Sequence, residues 1–201
     1  MSYNLRRLTE SALLIAIGTV LSLFPFQGPW ALGGGITVCA MLPLVMLSHR
    51  YGCKWGLLSA LVYSLLQMLL GLNNVQIAPD PLTAVGIILL DYVVAFTVIG
   101  FASCFNGVVK DHRLAIVLGI AVTFFARFVC HFFSGLLIWE VLWPNSLHWT
   151  SWIWSLAYNG SFMLPETVLT SVAAFLLYKP LEKFWLGSDL PAKQSRMPEA
   201  K

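Results

Sequence analysis

A chain of 201 residues, 58% of them hydrophobic and only 10% charged, with a mean hydropathy of +0.78, cannot keep its surface in water, because soluble domains carry about 25% charged residues. The net charge of +3 is scattered through loops rather than gathered on one face, which excludes a nucleic-acid partner. No shift in composition divides the chain. Residues 1–186 read as one membrane domain, and the polar, proline-containing stretch 187–201 reads as a disordered cytoplasmic tail.

The predicted fold class is all-α, an integral membrane bundle of six transmembrane helices near 8–24, 36–48, 55–71, 83–105, 114–138 and 152–178. Each crossing needs about 20 apolar residues. In the first, Arg6 and Arg7 precede an apolar run that lacks a small-residue cleavage site, so the run reads as a helix rather than a signal peptide. The second is short and follows Gly33, Gly34 and Gly35, a pattern tolerated where the irregular end lines a cavity. Eleven of the twelve Lys and Arg residues fall in the N-terminus, the second loop, the fourth loop or the C-terminus. Loops 25–35, 72–82 and 139–151 contain none, which places both termini in the cytoplasm. The opposite loops instead hold Trp30, Asn74, Gln76, Glu140, Trp143 and Trp149.

The last three spans carry the ionisable groups, Asp91, Arg127, His131 and Glu166, and such groups inside a membrane mark a functional site or a paired structural one. From the helical rise, Asp91 and Asn159 lie roughly 12 Å, and His131 about 10 Å, below the outer surface. An anion, an imidazole and an amide thus meet at one level. Tyr92 follows the acid, Trp139 lies above His131, and Trp154 and Tyr158 share a face of the sixth helix. A carboxylate among aromatic rings suits a flat, cationic ligand. Arg127 is expected to pair with Asp91 or with backbone carbonyls, and Glu166, roughly 22 Å deep, to serve helix packing or reach toward a neighbour.

The sequence has no G-x-x-x-x-G-K-[ST], H-E-x-x-H or G-x-S-x-G. Ser155 stands on a regular helix with no turn to expose it, so a triad with Asp91 and His131 is excluded and an enzyme is not expected. Cys39, Cys53, Cys104 and Cys130 form no CxxC pair and read as small buried hydrophobes, with no metal implied.

Four stretches resemble a known family: GGGITVCAMLPLVMLSHRYG (33–52), LLDYVVAFTVIGFASCF (89–105), RFVCHFFSGLLIW (127–139) and WIWSLAYNGSFMLP (152–165). Together they are similar to the thiamine-specific substrate-binding (S) components, of the ThiT or YuaJ type, of energy-coupling factor (ECF) transporters. The resemblance implies a pocket acid at Asp91, followed by Tyr92, with His131, Trp139 and Asn159 around it and Trp154 at an aromatic position. Trp30 and Trp143 correspond to loop tryptophans. The family's tyrosine before the fourth helix has no counterpart in GLNNVQIAPDP, where Asn74 or Gln76 stands instead.

The resemblance further implies a multi-pass protein of the bacterial cell membrane that captures thiamine from outside. The vitamin is a transported ligand rather than a cofactor. Asp91 would balance the thiazolium charge or bond the aminopyrimidine. The implied partners are an ECF transmembrane coupling subunit and two ATPase subunits, met at Ala12 and Ala16, small residues four apart on the first helix. The alternatives are another flat vitamin such as pyridoxine in the same architecture, or a stand-alone transporter using Arg127 and Asp91 as a proton relay.

Overall fold

The computed structural model describes residues 2–26, 28 and 34–190. It is all helical, with no strand among the described residues; a single antiparallel bridge joins Phe26 to Ile36. The described residues form eight helices in order: α1 (Tyr3–Ser22), α2 (Leu42–Tyr51), α3 (Cys53–Leu70), α4 (Leu72–Gln76), α5 (Pro81–Phe105), α6 (His112–Leu142), α7 (Ser151–Tyr178) and α8 (Glu182–Leu186). Four of them, α3, α5, α6 and α7, are long and apolar enough to cross a membrane. Large apolar side chains cover the outside, among them Phe125 at 65% and Leu164 at 67% exposure. That surface belongs in lipid.

Local chemistry sets where the long helices start. Asp80 caps α5 by accepting from the Leu82 and Thr83 amides at 2.9 and 3.0 Å, with Pro81 in the first turn. Asp111 caps α6 in the same way, through the Arg113 amide at 2.8 Å.

The second predicted segment, 36–48, is corrected. It becomes helical only at Leu42 and runs to Tyr51, because Pro43 belongs in a first turn, where a missing N–H and a fixed φ do no harm. Ten residues span about 15 Å, half of the hydrocarbon thickness. α2 does not line the surface at all: every residue from Leu42 to Arg50 is buried, and the helix is wrapped by α1, α3, α5 and α8. The predicted tail 187–201 falls largely on residues 191–201, outside the described ones.

Small residues and hydroxyls hold the centre together, as expected where lipid offers helices no hydrophobic drive to associate. A Cβ on Gly56 would stand 2.6 Å from the Gly100 carbonyl oxygen, so α3 and α5 touch backbone to backbone. Ser48 on α2 donates to that same carbonyl at 2.6 Å and accepts from the Ser103 amide at 3.1 Å. At one end of the bundle, charged side chains tie α1, α2 and the segment after α8 together. Arg50 bonds Glu10 at 2.5 Å and Asp189 at 2.8 Å, Arg6 bonds Glu10 at 2.7 Å and also reaches Asp189, and Tyr51 donates to Glu10 at 2.6 Å. The opposite end holds a cavity.

Candidate functional site

Two helices are locally widened at the level of that cavity. α5 adopts a π-type turn over Ile88–Val93 and α6 another over Gly135–Trp139. Such widenings place side chains where a regular helix would not, and they recur at functional sites. The first carries Asp91 and Tyr92, the second Trp139. The cavity between them holds about 280 Å³, slightly under the usual range of about 300–1,000 Å³ for small-molecule sites.

Asp91 is the centre of the arrangement. One carboxylate oxygen lies 3.1 Å from His131 Nδ1, and the other accepts from the Trp139 indole N–H at 2.8 Å. The side chains of Asp91 and His131 are 12% and 15% exposed, so both look into the cavity without being open to bulk water. His131 Nε2 is buried and unpartnered. Trp143, a predicted site residue, is absent from the lining; its ring stacks on Trp139, centroids 5.6 Å apart and planes at 13°, and so backs the wall from behind.

α7 supplies the facing wall. Trp154, Tyr158 and Phe162 follow one another at one-turn spacing, with centroid separations of 5.5 and 6.2 Å, and all three line the cavity. Asn159 also lines it, but its amide nitrogen donates to the His131 carbonyl at 3.2 Å and to the Ser155 carbonyl at 3.0 Å. Ser155 donates to the Phe132 carbonyl at 2.7 Å. These bonds clamp α7 to α6, so Asn159 fixes the height of His131 as well as facing the cavity. Gly135 makes the clamp possible, since a Cβ there would stand 3.0 Å from the Asn159 amide nitrogen and press into the Ser155 hydroxyl.

Tyr92 lines the cavity too, with its hydroxyl donating to the Gly71 carbonyl at 3.0 Å and accepting from Asn74 at 3.1 Å. Asn74 therefore reaches the cavity; Gln76 does not. Trp30 lies outside the described residues.

The expected partner of Arg127 is corrected. It pairs with Glu166 at 2.7 Å rather than with Asp91, and its guanidinium lies over the Phe96 ring, 4.8 Å from the centroid. Glu166 is 1% exposed and also accepts from the Thr37 hydroxyl. A buried charge needs a partner, and here each has one, joining α6, α7 and the segment before α2.

Several lining residues were not predicted as site residues: Ser22, Thr37, Phe96 and Phe162, which carried no signal in the sequence, and Glu140, which was noted only as an outer-loop residue. Glu140 is the most telling. One of its oxygens accepts from the Asn145 amide at 3.1 Å and side chain at 2.5 Å, while Oε2 is buried with no partner. Ala12 and Ala16 are exposed on α1 and do not line the cavity. Among the described residues no cluster of His, Cys, Asp or Glu could hold a metal ion.

The profile of the Thia_YuaJ family, the thiamine transporter proteins, matches residues 8–185. The chain belongs to the Thia_YuaJ family. It is a family of transporters, not of enzymes. The thiamine transporter ThiT of Bacillus subtilis (strain 168) is 28% identical over 186 residues, which cover 88% of this chain and 92% of that protein. The ThiT protein of Lacticaseibacillus paracasei is also 28% identical, over 160 residues covering 74% and 76%. A solved structure of ThiT from Listeria monocytogenes superposes with a TM-score of 0.71 at 22% identity, covering 90% of this chain and 98% of that one. At that identity the likeness concerns the Thia_YuaJ fold alone.

Proposed function

We propose that this chain is the substrate-capturing subunit of an ECF-type importer, and that it binds thiamine from outside in the cavity between α5, α6 and α7. The observation that carries this reading is the Asp91 carboxylate, held by His131 and Trp139 inside a chamber walled by Trp154, Tyr158 and Phe162. Each carboxylate oxygen has acceptor capacity left beyond its one protein donor. A flat heterocycle with a positive charge satisfies that capacity and the ring faces together. The family and both relatives named above are thiamine transporters, which points to the same ligand.

In this reading all six predicted spans lie in the membrane. α1 presents Leu5, Leu8, Leu13, Ile17 and Val20 to lipid, and α2 rests in the bundle interior. The end bearing Arg6, Arg7 and Arg50 faces the cytoplasm, together with both termini, so the cavity opens to the other side. Without a nucleotide motif, the chain draws on ATP hydrolysed by two ATPase subunits through a membrane coupling subunit. Ala12 and Ala16 offer that subunit a strip where a second helix backbone approaches closely.

Titrating the purified chain with thiamine and with pyridoxine while following tryptophan emission tests the ligand, because Trp139 and Trp154 both line the cavity. Saturable quenching by thiamine and none by pyridoxine is expected. The opposite pattern moves the assignment to the pyridoxine class. Proton-driven uptake by the reconstituted chain alone would replace the subunit reading with that of a stand-alone transporter.

A further inference from the structure

We propose that Glu140 is a specificity-determining residue of the cavity, where its free carboxylate oxygen takes a donor of the cationic ligand and rejects ligands that end in phosphate. The inference rests on the thiamine reading and deepens it. Glu140 lines the cavity one residue beyond Trp139, whose indole holds Asp91. It stands nine residues above His131 on α6, about 13 Å toward the mouth.

The two oxygens of Glu140 have different surroundings. Oε1 anchors the loop after α6, accepting from Asn145, which in turn donates to the Trp149 carbonyl at 2.9 Å and accepts from the Trp149 amide at 2.8 Å. Oε2 is buried and has no donor. A loop anchor requires only one acceptor, so it explains Oε1 and leaves Oε2 unexplained. A buried acceptor without a donor is unfavourable and calls for one, and this one belongs to a residue on the cavity wall.

The charge balance points the same way. The cavity wall carries two carboxylates, Asp91 and Glu140, and one guanidinium, Arg127, whose charge is already matched by Glu166. No unmatched cation remains among the described lining residues to receive a phosphate. The alcohol-ended cation is favoured, and its phosphate monoester meets a like charge.

The experiment compares the affinities of the full chain for thiamine and for thiamine monophosphate, in the wild type and in two variants. Glu140→Gln keeps an oxygen for Asn145 and removes the charge. Asn145→Ala breaks the loop anchor and keeps the charge. In Glu140→Gln, thiamine affinity is expected to fall about tenfold, which corresponds to 1.4 kcal/mol. The monophosphate is expected to bind no worse, so the ratio of the two shrinks about tenfold or more. Asn145→Ala leaves that ratio at its wild-type value. An unchanged ratio in Glu140→Gln with tight wild-type binding overturns the Glu140 assignment alone, as does a ratio change reproduced by Asn145→Ala. Failure of the wild-type chain to bind thiamine overturns both this inference and the reading it rests on.

Discussion

Replacing Asp91 by Asn removes one unit of charge and little else. The Asn carbonyl can still accept the Trp139 indole N–H that the carboxylate accepts at 2.8 Å, so the wall keeps its shape. What disappears is the attraction for a cation. At about 5 Å and an effective dielectric constant near 20, a charge pair is worth about 3 kcal/mol before the substituted amide recovers part of the hydrogen bonding. A net loss of about 2–3 kcal/mol lowers thiamine affinity about 30- to 150-fold. Titration of the purified variant, read by tryptophan quenching, measures this directly. Thermal unfolding without ligand serves as the control and should move little, because the buried Arg127 guanidinium pairs with Glu166 rather than with Asp91. A dissociation constant within threefold of the wild type would refute the charge argument, and with it the role of the carboxylate as counter-ion.

Three further outcomes follow from particular contacts. Glu166→Ala strands the Arg127 guanidinium inside the bundle, costing about 3 kcal/mol; the unfolding midpoint in detergent should fall by roughly 10 °C, and the double replacement Arg127→Met, Glu166→Leu should recover most of it. Gly135→Val drives side-chain carbons into Ser155 and Asn159 and prises α6 from α7, so ligand affinity should drop at least about tenfold in the same quenching titration, while far-ultraviolet circular dichroism stays unchanged. The hydrogen bond from Arg50, at the basic end of the bundle, holds the Asp189 carboxyl down to about 2. Because the folded value lies below the unfolded one, this contribution to stability is complete above about pH 4 and is lost as the pH falls toward 2; Asp189→Asn should flatten that part of a plot of unfolding temperature against pH.

The long apolar runs and the one-sided placement of Lys and Arg made the helical membrane character legible at once, since both follow from burial in lipid. The level shared by Asp91, His131 and Asn159 was legible too, because helical rise alone converts sequence position into depth. Direction was harder to read. Asn159 shares that level but spends its amide nitrogen on the His131 and Ser155 carbonyls, a choice set by how α6 and α7 rotate against each other. The pairing of Arg127 with Glu166 joins residues 39 positions apart, and depth did not separate it from a pairing with Asp91. Thr37 and Glu140 were not placed at the cavity for a different reason. Thr37 reads as part of a short apolar span and Glu140 as ordinary outer-loop chemistry, until the fold brings each to a cavity wall.

The widened turns in α5 and α6 have an evolutionary side. Each residue advances a helix by about 100°, so a turn that accommodates one extra residue swings everything beyond it round to a new face. The parts of these two helices on the inner side of each widening stay locked against glycines and serines, while the short segments on the outer side, Pro81–Ile87 of α5 and Glu140–Leu142 of α6, are phased independently. A lineage could alter which side chains greet the cargo by gaining or losing a single residue at either widening, without re-solving how the bundle interlocks beneath.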